Sequence, residues 1–153
     1  NNLIFGNSAA GEGGGIFLGG SGHITGRFSG DTIAGNAAGL DGGGGIRFSS
    51  GLTYESAFKA INLISWANIN GNLLGSPLAT FSDIQGGSAG TGNISMDPGF
   101  TSGTMGRFYL AQDANTISPA VDSGGGLSAD FSMATTTDLG IPRNGRLTRA
   151  HNT

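Results

Sequence analysis

The sequence predicts an all-β protein that folds as a parallel β-helix, a solenoid of stacked coils. Three observations favour this class: a repeat of 29 to 30 residues, short apolar runs separated by turn residues, and 31 glycines among 153 residues. A unit of this length with two or three short strands cannot bury its apolar side alone. Stacking units at about 4.8 Å pairs every strand and creates a continuous core. We therefore expect about four coils.

Two linked motifs carry the repeat. The segment Ile4–Gly11 (IFGNSAAG) returns as Ile33–Gly39 (IAGNAAG) after 29 residues. The glycine run Gly13–Gly15 returns at Gly43–Gly45 after 30 residues, so one residue is inserted between the two motifs. A third Ile-x-Gly-Asn at 69–72, without the glycine run, predicts a further coil.

The strands and corners follow from residue type. Apolar residues alternate over three to five positions, as at Leu3/Phe5, and these runs are bounded by Gly, Asn, Ser or Asp. Glycine permits tight corners between such strands. Asn7 and Asn36 fall at the same corner of consecutive coils, and Asn72 is the matching residue of the third motif. We expect these asparagines to adopt the left-handed conformation and to hydrogen-bond along the stack.

One segment has a different pattern. Ala57, Phe58, Ile61 and Ile64 lie at roughly helical spacing, whereas the residues from 61 to 66 also fit a strand. We predict a short helix or loop at 53–59, followed by a strand that enters the third coil.

Composition excludes several classes of protein. No apolar run approaches the ~18 residues of a membrane-spanning helix, so we expect no membrane insertion. The net charge of −3 predicts no nucleic-acid partner. The chain has no cysteine and only two histidines, which excludes disulfides, thiolate zinc sites, thiol catalysis and a His-rich metal centre.

Five segments together resemble the C-terminal part of bacterial secreted or cell-surface right-handed β-helix repeat proteins, of the polymorphic outer-membrane and choice-of-anchor type. The segments are 6–16, 81–87, 92–100, 118–124 and 137–143. The resemblance implies a right-handed coil, which the general preference of parallel crossovers also favours. It further implies an extracellular or cell-surface location, where such coils serve as spacers, adhesins or carbohydrate-facing platforms.

The resembling segments contain four aspartates: Asp83, Asp97, Asp122 and Asp138. Asp97-Pro98-Gly99 predicts a turn in which the aspartate caps backbone N–H groups. We expect a structural role for all four, through such capping or through pairing with Arg107 or Arg143.

Glu12 and Asp41 precede the two glycine runs, so stacked coils would place them about 5 Å apart. That distance is near the ~5–5.5 Å between the carboxylates of retaining glycosidases, and Arg47 is the nearest candidate third group. Three interpretations stay open: solvated turn carboxylates, a calcium site that glycine carbonyls complete, and catalysis. We favour the first, with no cofactor, and keep calcium at Glu12 and Asp41 as the weaker alternative.

The chain divides into β-helix coils over 1–110 and an irregular wrapping or capping segment over 111–153. All ten acidic residues precede the last eleven positions, in which Arg143, Arg146 and Arg149 form a basic tail. The resembling proteins instead close with an apolar strand. A basic tail on an acidic body predicts docking, either onto itself or onto a neighbour.

Function is predicted from the first coil, since residues 1–5 are already in repeat register with no cap before them. Uncapped strand edges are templates for another chain. We expect a secreted, non-catalytic structural or adhesive module that stacks head-to-tail into a filament or continues into further coils, with surface glycans as another candidate partner. The alternative is a carbohydrate-active enzyme, a polysaccharide lyase or glycoside hydrolase, on a β-helix scaffold.

Overall fold

The chain folds into short strands joined by tight corners. The computed structural model describes residues 2–40, 42–54, 59–75, 79–104, 106–113, 115–121 and 123–125. These residues form strands and turns and contain no helix, so the all-β prediction is confirmed.

The described residues contain sixteen strands of two to five residues. In chain order they are β1 (Leu3–Phe5), β2 (Ile16–Leu18), β3 (Gly22–Ile24), β4 (Arg27–Ser29), β5 (Thr32–Ala34), β6 (Ile46–Phe48), β7 (Leu52–Tyr54), β8 (Lys59–Ile61), β9 (Ile64–Trp66), β10 (Leu73–Leu74), β11 (Ala79–Thr80), β12 (Asp83–Ile84), β13 (Phe100–Gly103), β14 (Gly106–Leu110), β15 (Gln112–Asp113) and β16 (Thr116–Ile117).

Strands from consecutive repeats pair in parallel. One sheet has the order β1-β5-β9-β12, two others have the orders β2-β6-β10 and β4-β8-β11, and β3 pairs with β7. Ser8 bridges Ala37, whereas Ile16 pairs with Ile46, one residue further along the second repeat. The inserted residue therefore lies between these two positions, as the sequence predicts.

One apolar core lies among the three larger parallel sheets. Its members are buried residues from all three, Ile33, Ile46, Phe48, Ala60, Ala79 and Ile84, together with Leu63 from the turn between β8 and β9. The rings of Phe28 and Phe48 meet edge to face, with centroids 6.3 Å apart. Burying a side chain of this size contributes about 1.5–3 kcal/mol, so contacts between repeats stabilise the fold.

The pairing changes direction after β12. Strands β13 and β14 form an antiparallel hairpin, and so do β15 and β16. Leu110 of the first hairpin packs with Ile64 and Trp66, and the Phe108 ring lies 5.0 Å from that of Phe5. The hairpin therefore packs against the side of the four-stranded sheet that faces away from the core.

The segment predicted as a helix or loop is bounded by strands. Residues 53 and 54 belong to β7 and Lys59 begins β8, while 55–58 lie outside the described residues. The strand predicted from 61 to 66 is divided in two, because Asn62 has a φ of 55° and turns the chain between β8 and β9. An extended strand cannot pass through a residue in the left-handed region.

Candidate functional site

A column of asparagine side chains runs along one corner of the four-stranded sheet. Asn7 donates from its backbone N–H and from Nδ2 to Oδ1 of Asn36, at 3.0 Å in both cases. Asn36 donates in the same way to Oδ1 of Asn68, at 2.9 Å. Asn68 donates to Oδ1 of Asn72, at 2.8 Å from Nδ2 and 3.3 Å from the backbone. We call these four residues the asparagine ladder.

The interior members of the ladder are buried and fully bonded. Asn36 is 0 % exposed, and its Nδ2 also donates to the carbonyl of Ile4 at 3.1 Å. Asn68 makes the equivalent bond to the carbonyl of Ile33 at 2.9 Å. Burial strengthens such chained hydrogen bonds, and an amide left without its partners costs about 1–3 kcal/mol. The ladder therefore fixes the register of one coil on the next.

The predicted hydrogen bonding of Asn7 with Asn36 is present, but the predicted left-handed conformation is not theirs. It belongs to the residue before each ladder position: Gly6 at φ 66°, Gly35 at φ 61° and Ala67 at φ 54°. The preceding residue makes the turn, which leaves the asparagine free to bond along the stack. Glycine adopts this conformation readily, whereas alanine is strained in it.

The third coil has a different register from the predicted one. Asn68, not Asn72, accepts the bonds from Asn36. Asn72 immediately precedes β10, and its carbonyl accepts the N–H of Ile46 at 3.1 Å. The corner that spans residues 38–45 in the second coil is shorter in the third. The Gly-Asn pair of the third motif therefore occupies the place of the second glycine run.

A second polar contact between coils lies at a neighbouring corner. Oδ1 of the buried Asp31 accepts the backbone N–H of Asn2 at 2.7 Å and its Nδ2 at 2.8 Å. Oδ2 accepts the N–H of Ser29 at 3.0 Å. Our sequence analysis missed this pair, although the spacing of 29 residues that links Asn7 with Asn36 also links Asn2 with Asp31.

Glu12 forms an ion pair with Arg47. Its Oε1 lies 3.2 Å from both Nε and Nη2 of Arg47, in the next coil, and both side chains are partly exposed. Exposed pairs of this kind contribute about 0–1 kcal/mol. Asp41, the other calcium candidate, lies outside the described residues. Within those residues, no group of three or more His, Asp or Glu side chains could hold a metal ion.

The described aspartates of the resembling segments bond to backbone. Asp97 Oδ1 accepts the N–H of Gly99 at 2.9 Å, and Asp83 Oδ1 accepts that of Met96 at 3.2 Å. The other predicted structural residues, Asp122, Asp138, Arg143, Arg146 and Arg149, lie outside the described residues.

Residues 86–95 cover the edge of β11 and β12, and we call this region the closed end. The N–H of Phe81 donates to Thr91 and that of Ile84 to Ile94, at 2.8 and 3.0 Å. The side chain of Asn93 bonds to this edge as well: Oδ1 accepts the N–H of Ser82 at 3.0 Å, and Nδ2 donates to the carbonyl of Ala79 at 2.9 Å. The amide of Asn93 thus bonds backbone groups at this edge, as the ladder amides bond backbone groups between repeats.

The first coil forms the opposite end, which we call the open end. Among the described residues β1, β2 and β4 each have one neighbouring strand. Their core-facing side chains, such as Ile4, Ile16 and Phe28, are only partly buried. The next coil buries its equivalents almost completely, with Ile33 and Ile46 at 0 % exposure. The open end therefore presents strand edges around a half-covered apolar surface.

Comparison with family models, with curated proteins and with solved structures gives no significant match to this chain. The described residues contain no helix that is long and apolar enough to cross a membrane. Side-chain oxygens of Asp31, Asn36, Asn68 and Asn93 each accept a backbone N–H from a neighbouring segment of the chain.

Proposed function

We propose that this chain is a non-catalytic structural module built as a right-handed parallel β-helix, which acts outside the cell or at its surface. One observation carries the proposal: strands of successive repeats pair in parallel, in the same order, around a shared core. An asparagine column between the layers adds directional hydrogen bonds to that stacking. Such a module works by holding its length and shape and by joining to further coils.

The use of the acidic residues supports a structural role. Asp31, Asp83, Asp97 and Asp113 each accept a backbone N–H. Glu12 is paired with Arg47 on the surface. Hydrolysis of a sugar chain needs two carboxylates free to face the same bond. These five side chains instead stabilise turns and the contact between coils.

The extracellular location and the adhesive role rest on the resemblance to secreted and cell-surface repeat proteins. Head-to-tail stacking into a filament needs two complementary ends. The open end offers strand edges, whereas residues 86–95 occupy the edge of β11 and β12. We therefore favour joining to further coils at the open end over a filament of identical copies.

Paired cysteines test the solenoid, and the cysteine-free chain offers a clean background. Phe17 pairs with Arg47 in one sheet and Arg27 with Lys59 in another. Paired residues on adjacent strands lie within the 4.4–6.8 Å between Cα atoms that a disulfide accepts. Oxidation should therefore cross-link both double variants, Phe17→Cys with Arg47→Cys and Arg27→Cys with Lys59→Cys, within one chain, as intact mass and gel mobility would record.

The matched control combines Phe17→Cys with Lys59→Cys, positions that belong to different sheets. It should stay reduced under the same conditions. Cross-linking of the control at the rate of the two pairs, or of neither pair, would exclude the proposed stack.

The enzyme alternative is tested on polysaccharides. The protein should release no oligosaccharides from pectin, alginate or similar glycans, since its described carboxylates are bonded to backbone or to Arg47. Release that is lost in Glu12→Gln but retained in Asp97→Asn would replace the structural proposal with a catalytic one.

A further inference from the structure

The short corner at 70–72 contains an asparagine that is followed by glycine, Asn70-Gly71. Asparagine is a labile residue, because the backbone nitrogen of the next residue can attack its side-chain carbonyl carbon. Glycine in the next position has no side chain to obstruct the attack. The reaction also needs a side chain that solvent reaches and a backbone N–H that no acceptor holds. Asn70 is exposed, so it meets the first of these two conditions.

The N–H of Gly71 meets the second condition. Within the described ranges of the chain, no acceptor binds this N–H. The corner is held through its carbonyls instead: that of Asn70 accepts the N–H of Gly43 at 3.0 Å, and that of Gly71 accepts the N–H of Gly45 at 2.9 Å. Gly71 has a φ of 112°, which glycine adopts readily. The nitrogen that would attack is therefore unbonded and unobstructed.

Five other described asparagines are followed by an N–H that donates a hydrogen bond. The N–H of Ile69, after Asn68, donates to the carbonyl of Asn36 at 2.8 Å. A bonded N–H can attack only after local opening, which a small fraction of the molecules undergoes at any time. The five asparagines are Asn36, Asn62, Asn68, Asn93 and Asn115. The contrast with these residues distinguishes Asn70 by structure as well as by sequence.

We propose that Asn70 is a site of spontaneous deamidation. The nitrogen of Gly71 loses its proton to hydroxide from the solvent, and its electron pair forms a bond to Cγ of Asn70. The bond from Cγ to Nδ2 breaks, and Nδ2 takes up protons from water and leaves as ammonia. A cyclic imide remains, and water opens it at one of its two carbonyl carbons. Opening at Cγ gives aspartate, whereas opening at the former backbone carbonyl gives isoaspartate.

Either product weakens the contact between the second and third coils. Asn70 Nδ2 donates to the carbonyl of Ala38 at 2.8 Å and to that of Gly39 at 3.2 Å. A carboxylate has no proton to donate and is repelled by both carbonyl oxygens. In isoaspartate the main chain passes through the former side chain, which removes from the backbone the carbonyl that binds Gly43. The modification thus goes beyond the proposed structural role and gives the stack a contact that is lost with time.

The first experiment compares the folded protein with the same chain unfolded in urea. Both are incubated in mildly alkaline buffer, and peptide mapping by mass spectrometry follows the loss of amide at each asparagine. We expect Asn70 to react in the folded protein at a rate within about tenfold of its rate in the unfolded chain, since no hydrogen bond of Gly71 must break. Aspartate and isoaspartate peptides of the same mass should elute separately.

Asn68 is the matched control, because it lies in the same coil and its following N–H is bonded. Folding should slow its deamidation by clearly more than it slows that of Asn70. Asn70→Gln should abolish both products at this position, because the longer side chain closes a ring much less readily. Equal slowing of Asn68 and Asn70 by folding, or complete retention of the amide at Asn70 in the folded protein, would overturn the inference.

The second experiment measures the effect of the product on the fold. Deamidated protein, separated by ion exchange, and the variant Asn70→Asp should both exchange the Gly43 amide hydrogen about tenfold faster than the unmodified chain. Asn70→Ala loses the same two hydrogen bonds without adding a charge and should show a smaller increase. Unchanged exchange at Gly43 in both the deamidated protein and Asn70→Asp would refute the weakened contact. The cysteine pairs at Phe17 and Arg47 test the β-helix independently of either result.

Discussion

At one end of the stacked strands the chain folds residues 86–95 over the edges of β11 and β12, whereas at the other end β1 has no described neighbour beyond it. Both ends contain the same strand type and the same kind of corner amide. At the closed end Asn93 bonds to Ser82 and Ala79, while Asn7 at the open end bonds only forward, to Asn36. The difference teaches that a parallel stack ends where a side-chain amide and a short loop replace the next strand.

The largest expected loss of stability comes from adding a methyl group inside the stack, and the same change at the open end should have little effect. A Cβ at Gly44 would overlap the carbonyl oxygen of Ile69 in the next coil, whereas a Cβ at Gly11 would meet no atom within 4 Å. We expect Gly44→Ala to lower the free energy of unfolding by about 3 kcal/mol or more, because the backbone at Ile69 must move to admit the methyl group. Urea denaturation followed by circular dichroism measures the loss.

Gly11→Ala is the matched control and should change the same free energy by less than about 0.5 kcal/mol. Equal losses in the two variants would mean that close approach of the coils is not what glycine supplies at Gly44.

The ladder itself gives the next largest effect. Asn36→Ala removes four side-chain hydrogen bonds from a fully buried position and should cost about 2–4 kcal/mol. Asn7→Ala removes one bond at an exposed position and should cost about 1 kcal/mol or less. Denaturant unfolding of both variants checks the ratio, and a larger loss for Asn7→Ala would reverse our comparison of the two positions.

A substitution at the closed end should make it behave like the open end. Asn93→Ala leaves the N–H of Ser82 and the carbonyl of Ala79 without the amide that bonds them, at an expected cost of about 2 kcal/mol. The exposed edge should also promote association between molecules. Hydrogen exchange at Ser82 and light scattering against concentration measure the two effects, with Ser95→Ala as the variant that should show neither.

The smallest effect concerns the residue before each ladder asparagine. Ala67→Gly should raise the free energy of unfolding by about 0.5–1 kcal/mol, because it removes the strain of an alanine at φ 54°. At the open end, Gly6→Ala should lower it by a similar amount, since Gly6 has a φ of 66° in open space. Thermal unfolding should show a higher midpoint temperature for Ala67→Gly and a lower one for Gly6→Ala. Midpoints that move in the same direction would contradict this explanation.

The first two repeats were predictable from sequence because their motifs differ by only one inserted residue. The third was not, because the residues that align with Ile33–Asn36 are Ser65–Asn68, which do not match the motif. The Ile-x-Gly-Asn at 69–72 lies one position further on and forms the short corner instead. Register there is set by Ala37, which bridges Ile69, and by Asn36, which bonds to Asn68. A motif search matches residue types along the chain. The alignment of repeats in the structure depends instead on which side chains are buried against each other.

The antiparallel hairpin was also missed, although the sequence contains a signal for it. A strand with one solvated face alternates apolar and polar residues, whereas one that is covered on both faces does not. In β1, Leu3, Ile4 and Phe5 are all apolar, and Ile64 and Trp66 flank Ser65 in β9. The apolar side chains directed away from the core predict a covering layer. The hairpin covers Ile64, whereas Phe5 touches Phe108 and remains 50 % exposed.

The unequal corners of the second and third coils also have a practical consequence. Residues 38–45 and 70–72 connect equivalent bridge and strand positions, so the fold accepts different loop lengths at this point without disturbing the strands on either side. Leu40, in the longer corner, is 91 % exposed. A peptide tag or a small folded domain inserted beside Leu40 should therefore be accessible to solvent without separating the paired strands, which makes this corner suitable for attachment.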